Sequence, residues 1–172
     1  GGDVYKGQVR ELLSIMKANN LTGAEDLLAV IRQVGAMERQ LGAAVDELQA
    51  MRRELETMRE ESHPIKNALQ NVVKTLEKSV ATIRQRLDVV KDGIIEGCKN
   101  AVAAFREKGL SALRHVADFF KIRPGLEALR DSMDKSIRFD EAAVAKIEAV
   151  SAEYHQAGRH LKNMGRALVG KE

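Results

Sequence analysis

Apolar side chains recur every seven residues between Leu27 and Met58. They form two series offset by three residues, which is the a and d pattern of a helix that packs as in a coiled coil. We call these ten positions the heptad seam: Leu27, Val34, Leu41, Leu48 and Leu55, with Val30, Met37, Ala44, Met51 and Met58. The pattern predicts one long helix over residues 23–62 with this seam along one side.

Charged side chains flank the seam in its second half. Glu47 with Arg52, and Glu54 with Arg59, have the g-to-e spacing that pairs across a parallel two-stranded coiled coil. This spacing favours self-association, so the predicted interaction residues are those of the later seam: Leu41, Leu48, Met51, Leu55 and Met58.

The alternative interpretation is that the same seam packs inside the chain's own bundle. Small residues lie beside the seam at Gly35, Ala36, Gly42 and Ala43, where they would let a second helix approach closely. They favour intramolecular packing for residues 27–45. For residues 46–61, where only a and d are apolar, both alternatives stay open.

Helical periodicity continues on both sides of this segment. A short first helix is predicted over residues 4–19, ending where Asn19 and Asn20 can adopt the left-handed conformation. The segment 64–121 has an eleven-residue apolar repeat, typical of a nearly straight helix, with a break expected near 93–97 or at Gly109. The members of that repeat are Ile65, Leu76, Leu87 and Cys98.

The last segment predicts a helix over residues 126–169, which Asp140 could interrupt by capping a new start. Pro64 and Pro124 mark reversals, because the residue before proline avoids helical backbone angles. The predicted fold is therefore all-α: a single domain, residues 1–172, forming an elongated antiparallel helical bundle or coiled coil of three long helices plus a short N-terminal helix.

Composition agrees with helices, and charge adds one alternative function. Aromatic residues make up 3% of the chain and apolar residues 44%, with no run of alternating apolar positions. The net charge of +3 is uneven, at −3 over residues 1–62, +6 over 63–123 and zero over 124–172. The basic segment 63–123, with the basic C-terminal tail, is the basis of the alternative prediction, a nucleic-acid-binding accessory protein.

Residues that could take part in catalysis or metal binding are dispersed along the chain. Cys98 lies on an apolar stripe and is expected to be a small buried side chain. His115 and Asp118 favour a surface hydrogen bond, and His155 and His160 are five residues apart, so they do not share a helix face. We therefore predict no enzyme activity, no catalytic residue, no cofactor and no metal ligand. The amphipathic stretch 110–122 could lie on a membrane, but a helix that packs in the core has the same pattern.

The expected location is the cytoplasm. No apolar run reaches the roughly 20 residues that a membrane span needs. The start of the chain, Gly1-Gly2-Asp3, has no secretory leader and looks like the remnant of a cleaved tag.

Three stretches carry a resemblance to a known family. They are "MERQLGAAVDELQAMRRELE", "FFKIRPGLEALRDSMDKSI" and "AKIEAVSAEYHQAGRHLKNMGRALVGKE". Together they resemble an uncharacterised bacterial all-helical family, a domain of unknown function associated with mobile elements of anaerobic Gram-positive bacteria. The resemblance implies a cytoplasmic accessory protein and carries over no active site.

Overall fold

The computed structural model of the protein describes residues 2–58, 63–150 and 155–170. All regular elements in those ranges are helical, so the predicted all-α class is confirmed for them. Two 3-10 helices, Gly109–Leu113 and Val116–Phe119, lie between the third and fourth α-helices. The α-helices are α1 (Gly2–Ala18), α2 (Gly23–Glu56), α3 (His63–Lys108), α4 (Arg123–Val150) and α5 (His155–Val169).

Local backbone chemistry explains where several helices end. After α1, Asn20 has a φ of +52°, the left-handed conformation expected there. Helix α2 ends at Glu56, earlier than the predicted residue 62, and Met58 follows its last turn. Helix α3 runs unbroken through Gly93 and ends just before Gly109, whose φ of +79° favours glycine.

The stretch after Gly109 differs from its prediction. The apolar pattern of residues 110–122 indicated one amphipathic helix, but the chain forms the two 3-10 helices instead. His115 separates them with non-helical backbone angles, φ −120° and ψ 55°. A continuous amphipathic helix for a membrane surface is therefore not formed by this stretch.

The described residues group into two compact units. Unit 1 comprises their parts within 1–35 and 86–128, and unit 2 their parts within 36–85 and 129–172. Unit 1 packs around fully buried side chains from α1 and α3. The members with no exposed surface are Leu12, Met16, Ile94, Cys98 and Ala101.

Two glycines of α3 let a later part of unit 1 approach closely. A Cβ at Gly97 would lie 2.6 Å from a ring carbon of Phe120 and 2.9 Å from the carbonyl oxygen of Phe119. A Cβ at Gly93 would lie 2.8 Å from a methyl carbon of Ile122. The break expected near 93–97 is therefore absent, and the two glycines instead allow a tight crossing.

In unit 2, the order of contacts between α4 and α5 is that of antiparallel segments. Ile147 lies beside Gly158, and Asp140 lies beside Gly165. The prediction of one helix over 126–169 is therefore wrong, because α5 folds back along α4. This reversal buries the apolar face of α5, whose members are at most 3% exposed: Ala157, Leu161, Met164 and Leu168.

Helix α2 contacts both α3 and α5 in unit 2. Arg52 pairs with Glu77 of α3, and a Cβ at Gly170, just after α5, would touch the Gln40 amide. The predicted interruption of α4 at Asp140 is also wrong, since α4 continues through this residue and Asp140 is 1% exposed.

Candidate functional site

The heptad seam lies in the interior of the chain. Leu41, Leu48, Met51 and Leu55 are between 1% and 5% exposed, and Met58 is half-buried. Side chains that the same chain already covers are not accessible to a second copy. Four of the five predicted interaction residues, all but Met58, are thus core residues in this fold, as in the intramolecular alternative.

The charges beside the seam are also used within the chain. Arg52 forms an ion pair with Glu77 of α3 rather than serving a partner's Glu47. Glu47 and Glu54 both face His160 of α5. Arg59, the other predicted partner, lies outside the described residues.

His160 connects α5 to two turns of α2. Its Nδ1 lies 2.7 Å from Glu47 Oε2, and its Nε2 lies 3.3 Å from Glu54 Oε2. The first distance is a hydrogen bond, whereas the second is an ion-pair distance without hydrogen-bond alignment, because Glu54 Oε2 is buried with no hydrogen bond. The part of this contact that is visible in the sequence is the spacing of Glu47 and Glu54, which lie two turns apart on one face of α2.

A shallow groove follows the outer side of α2 and α3 in unit 2. We call it the outer groove; its volume is about 190 Å³. Small or polar side chains lie along it, with Val45 half-buried and Gln49 and Ala81 exposed. Charges of both signs are present, from Arg52, Glu77 and Arg84. The full lining is Val45, Leu48, Gln49, Arg52, Glu77, Val80, Ala81 and Arg84.

A larger cleft of about 520 Å³ lies between α4 and α5, and we call it the Asp140 cleft. Asp140 is buried, and burial followed by the charge of Glu141 raises the pKa of its carboxyl to about 7, against a lowering by the backbone N–H of Gly165. Asp140 Oδ1 accepts no hydrogen bond from any described residue. A buried polar atom without a partner usually costs stability. The cleft is lined by Asp140, Glu141, Val144, Lys162, Gly165, Arg166 and Val169.

The remaining candidate residues have structural positions. Cys98 is fully buried, and burial raises the pKa of its thiol to about 11, so it is the small interior side chain expected. His115 and Asp118 are both exposed. The described ranges contain no group of three His, Cys, Asp or Glu residues arranged to hold a metal ion.

Two basic residues of segment 63–123 are engaged by other groups of the same chain. Arg86 donates to the Ala128 carbonyl at 2.8 Å, and Arg106 pairs with Glu11 at 2.5 Å. Three exposed acidic residues of α3 are spaced i, i+4 and i+8, a row that a phosphate backbone would repel. The row is Asp88, Asp92 and Glu96.

Within the part of the chain that the structure describes, no helix is both long enough and apolar enough to cross a bilayer.

Comparison with protein-family models gives a match over most of the chain. The model of a family of unknown function, DUF6674, matches residues 6–172. No curated protein and no solved structure matches the chain.

Proposed function

Since the chain belongs to DUF6674, a family of unknown function, we propose from its surfaces that it is a non-catalytic helical scaffold that associates with a second copy of itself. The proposal assigns this contact to the outer groove of unit 2. The heptad seam offers less accessible surface, because Leu41, Leu48, Met51 and Leu55 are at most 5% exposed.

The composition of the outer groove is the observation that carries the proposal. Ala81 is exposed and Val45 is half-buried, so a partner helix would meet two short side chains in the groove. Longer polar side chains flank them: Gln49, Arg52, Glu77 and Arg84. Small side chains let helix axes approach to about 8–10 Å.

Charge favours a second copy over an unrelated partner. The groove has acidic Glu77 beside basic Arg52 and Arg84. In a two-fold symmetric contact each surface meets itself, so a patch with both signs does not repel its copy. Glu77 already pairs with Arg52 of its own chain and can also face Arg84 of the copy.

Light scattering on a size-exclusion column tests this proposal. The wild type is expected to have the mass of a dimer, and Ala81→Arg is expected to have the mass of a monomer, because an arginine would fill the groove. Ala142→Arg is the matched control, since Ala142 is also an exposed helical alanine of unit 2 and lies outside the groove. A monomeric wild type, or equal effects of the two variants, would overturn the proposal.

Nucleic-acid binding through residues 63–123 is the alternative function. A gel shift with duplex DNA that disappears as salt rises would favour it, because phosphate contacts release counterions. The acidic row on α3 gives this alternative less support.

The cytoplasmic location and the bacterial mobile-element association remain predictions from the sequence and its resemblance.

A further inference from the structure

Two contacts that involve titratable side chains hold α5 in unit 2, one to α4 and one to α2. Towards α4, Gly165 of α5 lies against the carboxyl group of Asp140, since a Cβ at Gly165 would be 2.9 Å from Asp140 Oδ2. Towards α2, His160 of α5 faces Glu47 and Glu54. Both contacts lie within one compact unit, so the protonation of these side chains bears on how α5 packs there.

The contact at Asp140 favours a docked α5 when the carboxyl group is protonated. Asp140 is 1% exposed, and its Oδ1 has no hydrogen-bond partner among the described residues. Burial, followed by the charge of Glu141, raises the pKa of this carboxyl to about 7, against a lowering by the backbone N–H of Gly165. The carboxyl therefore loses its proton more easily once it is exposed to water, and its ionisation favours separation of α5 from α4.

The charged groups around Asp140 offset little of the cost of its ionisation. Glu141, on the same helix, has the same sign as the ionised carboxyl. From α5, Lys162 forms an ion pair with Glu148, and Arg166 is exposed to solvent. Water screens an exposed charge, so Arg166 compensates a buried carboxylate only weakly. An ionised Asp140 is therefore more stable in water than between the two helices.

The contact at His160 depends on protons in the same direction. Its Nδ1 lies 2.7 Å from Glu47 Oε2, and its Nε2 lies 3.3 Å from Glu54 Oε2, an oxygen that is buried without a hydrogen bond. The imidazolium form has an N–H on both nitrogens and places a positive charge between the two carboxylates. Neutral imidazole keeps a single N–H and no charge, so loss of the proton weakens the contact between α5 and α2.

We propose that α5 is a proton-controlled element of unit 2, docked on α4 and α2 when Asp140 is neutral and His160 is charged, and released when both have lost a proton. The device does not depend on self-association through the outer groove. The core that α1 and α3 form in unit 1 takes part in neither contact and stays folded. Release exposes the apolar face of α5, whose members are Ala157, Leu161, Met164 and Leu168.

Hydrogen-exchange mass spectrometry of the full chain measures the opening of α5. Exchange rates of α5 peptides are divided by the intrinsic rate at each pH, and peptides that cover residues 94–101 of α3 report on unit 1. The Asp140 carboxyl has a pKa of about 7 when docked and 3.8 when exposed. The opening constant of α5 should therefore rise at least about tenfold between pH 6 and pH 8. The α3 peptides should show no such rise.

Three variants assign the effect to particular side chains. Asp140→Asn has nearly the same shape and no proton to lose, so most of the rise between pH 6 and pH 8 should disappear. Asp134→Asn, at an exposed position of α4, is the matched control and should keep the rise. His160→Gln retains an N–H donor without the charge, so it should increase the opening of α5 more at pH 6 than at pH 8.

Four results would overturn the proposal. The first is equal protection of α5 at pH 6 and pH 8 in the wild type, and the second is an equal rise in Asp140→Asn and the wild type. The third is an equal effect of His160→Gln at the two pH values. The fourth is a parallel loss of protection in the α3 peptides, which would mean that the whole chain unfolds instead of releasing one helix.

Discussion

Asp140 should make the free energy of unfolding depend on pH. Burial, then Glu141, raises the pKa of its folded-state carboxyl to about 7 from 3.8. Between these values the folded state binds more protons at Asp140 than the unfolded state does. The contribution of Asp140 to stability therefore falls as pH rises from about 4 to about 7, and it is constant outside that window. The full difference corresponds to something on the order of 4 kcal/mol.

Urea unfolding at pH 5 and at pH 8 measures this dependence. We expect the wild type to be less stable at pH 8, and we expect Asp140→Asn to remove most of the difference. Asp134→Asn, at an exposed site, should retain it. Equal pH dependence in Asp140→Asn and the wild type would contradict the assignment to this carboxyl.

Cys98 should be unreactive in the folded protein. It has no exposed surface, and burial raises the pKa of its thiol to about 11, so the thiolate that attacks a disulfide reagent is scarce and inaccessible. Labelling with a chromogenic disulfide should be at least about tenfold slower in buffer than in 8 M urea. Equal rates in the two conditions would show that this part of unit 1 opens readily.

Burial could be predicted from the sequence for Cys98 and could not be predicted for Asp140. Cys98 belongs to an apolar repeat, and the repeat alone predicted its burial. Asp140 looked like a helix cap, because aspartate favours caps. Its burial depends on Gly165, which is 25 positions later and makes room only because α5 folds back onto α4.

At the element scale, replacement by alanine should have opposite effects on stability at Gly97 of α3 and at Gly42 of α2. Gly97→Ala should destabilise the protein by about 1–3 kcal/mol, because the new methyl group meets the Phe120 ring and the Phe119 carbonyl oxygen, as in an overpacked core. Gly42→Ala should stabilise it by up to about 1 kcal/mol, because nothing lies near a Cβ there and alanine favours helix.

Urea unfolding of both variants measures these changes. The comparison separates helix propensity from packing, since both glycines are inside α-helices. A stabilising effect of Gly97→Ala would contradict the close approach of residues 119 and 120 to α3.

The helices themselves could largely be predicted, whereas the α4–α5 reversal could not. Periodicity reports which face of a segment is apolar, and the apolar positions continue at helical spacing from Ile147 to Leu168. That pattern is the same for one long helix and for two helices that fold back. The residues between α4 and α5, 151–154, lie outside the described ranges, and their sequence contains neither proline nor glycine.

At the scale of the whole molecule, the seam should act as core and not as a dimer contact. Leu48→Asp with Leu55→Asp places two charges at positions 5% and 4% exposed. An unpaired buried charge costs several kcal/mol, so the double variant should lose more than about 4 kcal/mol of stability and much of its helix. Far-ultraviolet circular dichroism measures that loss, with exposed Gln49→Asp as the control.

A fully helical monomer from the double variant would instead support a seam between two chains. The sequence left this choice open because a heptad pattern identifies the buried face and does not identify the neighbour. The deciding contacts came from distant residues: Glu77 for Arg52, and His160 for Glu47.

The histidine between two glutamates also sets an alignment. Glu47 and Glu54 are seven residues apart, and a single imidazole ring reaches both. If α5 slid along α2 by one helical turn, about 5.4 Å, the ring would approach one glutamate and lose the other, so it could no longer contact both carboxylates. The contacts of His160 therefore favour this alignment of α5 on α2 over alignments shifted by one helical turn.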